Sequence, residues 1–337
     1  MNRRKIFDDR GNMLALNEFA KNFFVRNLTE TNEGMALGYN YLKERGFNEN
    51  TIKTFELGFG LTDRKALTNF ALKNGYRQKY LADTGLSIFY EDYQFFDRFC
   101  NCVIFPVHNL AGKVIGFCGR VLDIDRDTNM LPKYRDSPQS EIYYKHHTLY
   151  GIYQAKASIA CNDKCFIVEG PTDVLSMHQS GIENVVATFG TLLTIEQIKL
   201  IHRFTNNITL LYDSDAAGIH AAFCGIDMFL AEDMDVRVVL LPDGDDPDTF
   251  ARSHSITEIE KYIAKNETDF VVFKTRLLLD YAGDDTIDKA NAINDVVESI
   301  AVVPNGIKRE LYTKECAELT GIDENVLRIE INKLKNT

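Results

Sequence analysis

Acidic residues concentrate in three short segments in the second half of the chain. These segments are Glu169-Gly170-x-x-Asp173, Asp213-x-Asp215 and Asp246-Pro247-Asp248. Each one follows an apolar run that is typical of a buried parallel strand. Carboxylate oxygens are the ligands that Mg²⁺ and Mn²⁺ prefer. Two such ions can stabilise the attacking oxygen and the leaving oxygen of a phosphoryl transfer. One segment alone is more often a turn or a helix cap, but the three together predict a divalent-metal site that handles nucleotide phosphates.

Strands and helices alternate around these acids. The apolar runs predict strands at 165–168, 184–188, 208–212 and 236–241. Helical spacing predicts helices at 172–179, 194–203 and 216–230, with Thr194 as an N-cap. This βαβαβαβ order predicts a parallel sheet covered by helices. Ligands of such sheets bind beyond the carboxyl ends of the strands, which is where the acids lie.

The regions before and after these alternating strands and helices have different sequence patterns. Helices are predicted at 13–45, 48–55 and 63–74, followed by a β-hairpin of 103–107 with 114–117 and an exposed polar loop at 123–140. From residue 256 to the end the pattern is helical, with breaks near Gly283 and Pro304. The fold class is therefore α/β, or α+β overall. We expect a mixed α/β part at 1–160, a parallel-sheet part at 161–255 and a helical part at 256–337.

Charge is distributed unequally along the chain, whose net charge is −11. Residues 1–160 carry 22 Lys and Arg against 18 Asp and Glu, whereas residues 161–337 carry 16 against 31. Such asymmetry indicates one part that binds anions and another that concentrates carboxylates for cations, while an acidic surface kept for solubility is the alternative.

The amino-acid composition argues against a membrane-spanning, secreted or zinc-binding protein. The apolar runs are too short to span a bilayer, and no apolar segment typical of a secretory signal follows the basic start, so we expect no membrane association. The seven cysteines contain no CxxC pair, which predicts reduced thiols in the cytoplasm and no zinc in this chain.

The acidic segments resemble the motifs of a TOPRIM domain, the metal-binding fold shared by bacterial primases and type IA and II topoisomerases. The chain is similar in particular to the RNA-polymerase, or catalytic core, domain of bacterial DnaG-type primases. That similarity includes Asp97-Arg98-Phe99 with Ile104-Phe105-Pro106-Val107, the strand 116–122, and the segment 132–138. It covers about residues 15–335.

The resemblance implies roles for individual residues. Glu169, Asp213, Asp215, Asp246 and Asp248 would hold two or more Mg²⁺ or Mn²⁺ ions, with Asp173 in support. Glu169, Asp213 and Asp215 would be catalytic. Whether Glu169 is a metal ligand or a general base stays open. Arg98, Arg120, Lys133 and Lys145 would bind template or nucleotide.

The chain departs from the family pattern at one place that matters for binding. Cys100-Asn101-Cys102 stands where the family usually has Arg-x-Arg, so two cations are missing from the expected binding surface. Arg135 stands where the family has a small apolar residue, which returns one positive charge nearby.

The implied function is synthesis of short RNA primers on single-stranded DNA from NTPs, with an RNA–DNA hybrid as product, at the replication fork in the nucleoid. The resemblance also implies a replicative helicase as partner, through a region expected to be absent here. The chain is then either an excised core or a reduced stand-alone protein. The alternatives are a catalytically silent DNA-binding or replisome module and a TOPRIM nuclease or topoisomerase fragment.

Overall fold

The computed structural model describes residues 2–90, 94–122, 133–189, 193–212, 226–242 and 244–335, with side chains from residue 9 onward. The chain divides into two compact units, Met1–Lys156 and Ala157–Thr337. Both contain helices and sheets, so the predicted α/β class is confirmed. In the described part of the chain, no helix is long and apolar enough to cross a membrane.

The first unit combines helices with short antiparallel sheets. Its helices are α1 (Asn2–Glu30), a π-helical segment (Gly34–Tyr39), α2 (Asn40–Glu44), α3 (Glu49–Thr54), α4 (Ala66–Lys73), α5 (Gln78–Asp83) and the beginning of α6 (Ile152–Asn162). Its strands are β1 (Gly58–Gly60), β2 (Ser87–Phe89), β3 (Phe95–Asp97), β4 (Cys102–His108), β5 (Val114–Val121) and β6 (Tyr134–Asp136). The strand order is β1-β4-β5-β6, and β2 pairs separately with β3.

The core of this unit forms where α1 packs against the four-stranded sheet. Phe24 on α1 meets Phe117 on β5 edge to face, with ring centroids 5.5 Å apart. Met13, Leu16 and Ala20 belong to the same buried cluster. Burying one such aromatic or aliphatic side chain contributes about 1.5–3 kcal/mol, so this stripe fixes α1 on the sheet.

The helical pattern predicted over 13–45 is confirmed, with a change of helix type that the spacing does not reveal. It comprises the end of α1, a π-helical segment that begins at Gly34, and α2. A Cβ at Gly34 would lie 1.8 Å from the carbonyl oxygen of Asn27, so only glycine permits this close approach. The loop expected at 123–140 contains strand β6, because Tyr134–Asp136 pairs with β5.

The second unit is built on a five-stranded sheet. Its strands are β7 (Cys165–Val168), β8 (Val185–Ala187), β9 (Asn207–Tyr212), β10 (Asp235–Leu240) and β11 (Thr268–Asp269). Its helices include the rest of α6, then α7 (Pro171–Gln179), α8 (Ile195–His202), α9 (Pro247–Ser253), α10 (Ile256–Asn266), α11 (Phe270–Ala282), α12 (Thr286–Ala301), α13 (Gly306–Thr320) and α14 (Glu324–Lys335). The helix expected at 216–230 is described only from residue 226, and residues 226–231 are helical.

The order of strands in this sheet is β11-β10-β9-β7-β8. The four predicted strands are parallel, as expected, whereas the short β11 joins the edge of β10 in the antiparallel direction. From β7 the chain passes to β8 on one side and then to β9 on the other. This reversal makes the gap between the carboxyl ends of β7 and β9 a topological switch point, where open α/β sheets bind ligands.

Candidate active site

The first acidic segment leaves the sheet directly after β7. Glu169 is exposed, and Pro171 occupies the first turn of α7, where its missing N–H is not needed. Asp173 lies in the same turn and accepts a hydrogen bond of 2.8 Å from the Gly170 N–H. The turn therefore fixes the backbone beside the switch point and leaves the Glu169 side chain at the surface.

The third acidic segment begins α9. Asp246 is the N-cap of this helix, and its carboxylate accepts a hydrogen bond of 2.7 Å from the Thr249 N–H. Asp248 is buried, with 1% of its surface exposed, and accepts a hydrogen bond from the Ser176 hydroxyl on α7. The hydrogen bond between Ser176 and Asp248 joins the two helices, so the first and third segments are held against each other.

Asp173 is a buried carboxyl whose ionisation is influenced by the other acidic residues. Burial raises the pKa of Asp173 to about 8, and the negative charges of Asp246, Asp248 and Glu169 add to this rise. The hydrogen bond from Gly170 acts in the opposite direction and lowers it. Clustered carboxylates of this kind repel one another, and a bound cation would relieve that repulsion.

The second acidic segment, Asp213-x-Asp215, lies outside the described residues. Its strand β9 is described as far as Tyr212, which pairs in parallel with Leu240 of β10, while Leu210 pairs with Ile167 of β7. Among the described residues alone, no group of three or more His, Cys, Asp or Glu side chains converges closely enough to hold a metal ion. The carboxylate oxygens of the described residues at this edge, on Glu169, Asp246 and Asp248, are the hard donors that divalent metal ions prefer.

Three of the predicted basic residues lie on or near strands β5 and β6, and one of these, Lys145, begins the 3-10 helix Lys145–His147. Arg120 pairs across the strands with Tyr134, and its guanidinium carbon lies 5.1 Å from the centre of that ring. Its buried Nε and Nη1 atoms have no hydrogen-bond partner among the described residues. Lys133 is exposed just before β6, and Lys145 forms an ion pair of 2.6 Å with Asp136.

The fourth predicted basic residue, Arg98, has a different neighbour. Its Nε donates a hydrogen bond of 2.7 Å to the Gly85 carbonyl, and its own carbonyl accepts one of 3.3 Å from Arg135. Strand side chains alternate between faces, so Arg135 points to the face opposite that of Tyr134 and Asp136. The structure therefore brings Arg98 together with Arg135 rather than with Arg120 and Lys145.

Sequence reasoning missed two residues that shape these surfaces, Ser176 and Tyr134, and the backbone conformation of a third, Phe189. Ser176 donates to the buried Asp248, and only the folded chain brings them together across 72 positions. Tyr134 provides the ring beneath Arg120. Phe189, close after β8, has a φ of 63°, a left-handed conformation that costs a non-glycine residue about 1 kcal/mol or more. For Phe189, the signal available in the sequence was its position just after a predicted strand.

Family models match three parts of the chain. The DNA primase catalytic core, N-terminal domain, matches residues 23–156, and a Toprim-like model matches residues 166–251. The model described as the DnaB-helicase binding domain of primase matches residues 273–325. The chain contains a DnaG-type primase catalytic core with a Toprim domain. The expectation that the helicase-binding region is absent from this chain is corrected by the third match.

Individual relatives agree with this family. A DNA primase of Halalkalibacterium halodurans is 34% identical over 324 residues, which cover 94% of this chain and 52% of the relative. A DNA primase domain from Pseudomonas aeruginosa has a TM-score of 0.83 at 28% identity, over 96% of this chain and 100% of that one. A DnaG primase catalytic domain solved bound to ssDNA has a TM-score of 0.81 at 29% identity, over 92% of this chain and 99% of that one.

The chain spans about half the length of the curated relatives that it matches. Its fold is that of DnaG catalytic cores with a Toprim domain, as the sequence predicts.

Proposed function

We propose that this chain is the catalytic core of a DNA primase, which synthesises short RNA primers on single-stranded DNA from NTPs. The observation that carries the proposal is the position of the acids. Glu169 follows β7, one of the two strands that border the switch point, and Asp246 and Asp248 are held beside it through Ser176. The family match and the relative solved with ssDNA support the same activity.

The reaction we propose is a nucleotidyl transfer. The 3′-hydroxyl of one ribonucleotide attacks the α-phosphate of the next NTP, and pyrophosphate leaves. Two or more Mg²⁺ or Mn²⁺ ions, when bound, lower the pKa of the attacking hydroxyl and neutralise the leaving charge. Glu169, Asp213, Asp215, Asp246 and Asp248 are the proposed ligands, and no zinc is part of the proposal. Asp173 supports them by fixing the Gly170 turn.

The first unit is proposed to bind the template. Arg98, Arg120, Lys133 and Lys145 are the candidate contacts for phosphates of the template or of an NTP. Arg120 supports this role best, because two of its buried nitrogen atoms have no hydrogen-bond partner among the described residues.

A replicative helicase is the proposed protein partner. The support is the match of residues 273–325 to the DnaB-helicase binding domain of primase. The surface of this segment has the apolar character of an interaction site, since Ile287, Ile307 and Leu311 are each more than 60% exposed.

The experiment is a primer-synthesis assay with single-stranded DNA, labelled NTPs, and either Mg²⁺ or Mn²⁺. Wild-type protein is compared with Asp213→Ala and with the control Glu260→Gln, which changes an exposed carboxylate on α10. We expect short RNA from wild type and control only with metal, and a loss of at least about 100-fold in Asp213→Ala.

The other outcomes identify the alternatives. Folded wild-type protein that makes no RNA with either metal would favour the silent DNA-binding module. Cleavage or relaxation of DNA in place of RNA synthesis would favour the nuclease or topoisomerase fragment.

A further inference from the structure

Arg98 and Arg135 form a pair of like charges in the first unit. Nη1 of Arg135 donates to the Arg98 carbonyl at 3.3 Å and contacts the Cys100 sulfur at 3.8 Å. Both arginines are half-buried. Burial, and then the positive charge of Arg135, lower the pKa of Arg98, so the two guanidinium groups repel each other.

The carboxylates beside these arginines in the chain are engaged elsewhere. Asp97 precedes Arg98, but its two oxygens accept hydrogen bonds from the Leu67 and Thr68 N–H groups at the start of α4. Asp136 follows Arg135, but it lies on the opposite face of the strand and pairs with Lys145. In the part of the chain that the structure describes, neither arginine forms an ion pair with an acidic residue.

The local backbone holds Arg98 in place. Gly85 has a φ of +68°, and a Cβ added there would lie 2.2 Å from the ring of Pro138. Only glycine therefore allows the turn whose carbonyl accepts the Arg98 Nε at 2.7 Å. Pro138 follows β6 by two residues, so the same contact ties the Arg98 turn to the segment that carries Arg135.

We infer that Arg98 and Arg135 form a phosphate-binding site in which Arg135 supplies the positive charge that Cys100 does not. Two half-buried guanidinium groups that have no carboxylate partner among the described residues are stabilised by an anion that both can bind, and phosphate oxygens match guanidinium geometry. The phosphate belongs to a nucleic-acid strand or to the tail of a nucleotide. The inference rests on the proposed function only for this choice of ligand.

The test measures binding, so its result is separate from whether primers are made. Affinity for a fluorescent oligo-dT strand is measured between about 50 and 300 mM salt, roughly the range in which phosphate contacts are screened. For Arg135→Gln we expect affinity about fivefold lower at the lower salt, and a log–log salt slope smaller by about 0.7, as for one lost contact to a single strand.

Matched variants separate charge from folding. Arg135→Lys keeps the charge and should retain most of the slope, while Lys53→Gln removes an exposed charge on α3 and should leave the slope unchanged. Adding Cys100→Arg to Arg135→Gln should restore it, because the new guanidinium begins beside the lost one. Thermal unfolding of each variant checks that the fold is retained.

A second arm identifies the source of the phosphate. Affinity for a fluorescent ATP analogue is measured with the same variants. A loss confined to oligo-dT assigns the site to the strand, and a loss confined to the ATP analogue assigns it to the nucleotide. If folded Arg135→Gln binds both ligands as tightly as wild type, with the same salt slopes, the inference is overturned.

Discussion

Glu56 connects three separate elements of the first unit through its side chain. Its carboxylate accepts a hydrogen bond of 2.6 Å from Lys21 on α1 and lies 2.8 Å from the ring nitrogen of His108 on β4. Its own backbone is left-handed, with a φ of 53°, which costs about 1 kcal/mol for a residue that is not glycine. These contacts offset that cost, so Glu56 is held by its partners rather than by local preference.

The pH dependence of this cluster is the prediction at the scale of the residue. The hydrogen bonds from His108 and Lys21 lower the pKa of Glu56 from 4.5 to about 2, against the effect of burial. A carboxyl whose folded pKa is depressed stabilises the protein above its unfolded pKa. That contribution is lost as the pH falls from about 4.5 towards about 2.

We therefore expect Glu56→Gln to lower the melting temperature at pH 7 by about 3 °C. This shift corresponds to a loss of about 1 kcal/mol in the free energy of unfolding, after allowing for the partial exposure of Glu56. The difference from wild type should narrow as the pH falls below 4.5. Calorimetric melting from pH 7 down to about pH 2.5 covers this window and measures the difference, with the exposed Glu49→Gln as control. A constant difference across this range would show that the Glu56 charge is not responsible.

Residues whose roles are local could be predicted from the sequence, and those with distant partners could not. Thr194 was predicted as an N-cap, and its hydroxyl accepts a hydrogen bond of 3.3 Å from the Gln197 N–H. The Glu56 cluster joins positions 21, 56 and 108, and no spacing rule relates them. The same holds for Ser176 and Asp248, which meet only because α7 and α9 pack together.

At the scale of the element, helix α13 carries an unusual exposed face. Ile307 is 76% exposed and Leu311 is 63% exposed, four residues later on the same side of the helix. Thr313 and Cys316, on the other side, are buried against the rest of the unit. An apolar pair facing solvent adds nothing to folding, and it lies inside the segment matched by the helicase-binding model.

We expect the double variant Ile307→Asp with Leu311→Asp to weaken binding of the replicative helicase by at least about tenfold. Primer synthesis without helicase should be unchanged, because α13 carries none of the proposed ligands. The binding is measured by surface plasmon resonance, with Ile256→Asp on α10 as a control for adding charge to an exposed apolar position outside 273–325. Helicase binding of wild-type strength by the double variant would exclude this face of α13.

Among the shorter strands, β7 and β8 were predicted from the sequence, whereas β6 and β11 were not. Strand β9 has six residues of buried-strand composition and was predicted within one residue. Strands β6 and β11 have three and two residues, too few to show any alternation, and both depend on an edge offered by another strand. The π-helical segment begins at Gly34, where a Cβ would clash with the Asn27 carbonyl, and helical spacing does not reveal this close approach.

At the scale of the whole molecule, each half of the chain has a charge that suits its proposed ligand. The acidic half places Glu169, Asp246 and Asp248 beside the switch point of a parallel sheet. The positions of these acids after strands could be predicted from the sequence, because they depend only on the order of residues along the chain. The reversal between β8 and β9 was not predictable, since chain order does not specify the order of strands within a sheet. The division into parts at residues 160 and 255 stays a prediction.

The central claim is that the carboxylates at this edge bind divalent ions, and Mn²⁺ binding followed by electron paramagnetic resonance tests it most directly. Asp246→Asn is the informative variant, because asparagine still caps α9 while the charge is removed. We predict that its dissociation constant for Mn²⁺ rises at least about tenfold, whereas Glu260→Gln binds as wild type does. Equal Mn²⁺ binding by all three proteins would contradict the claim.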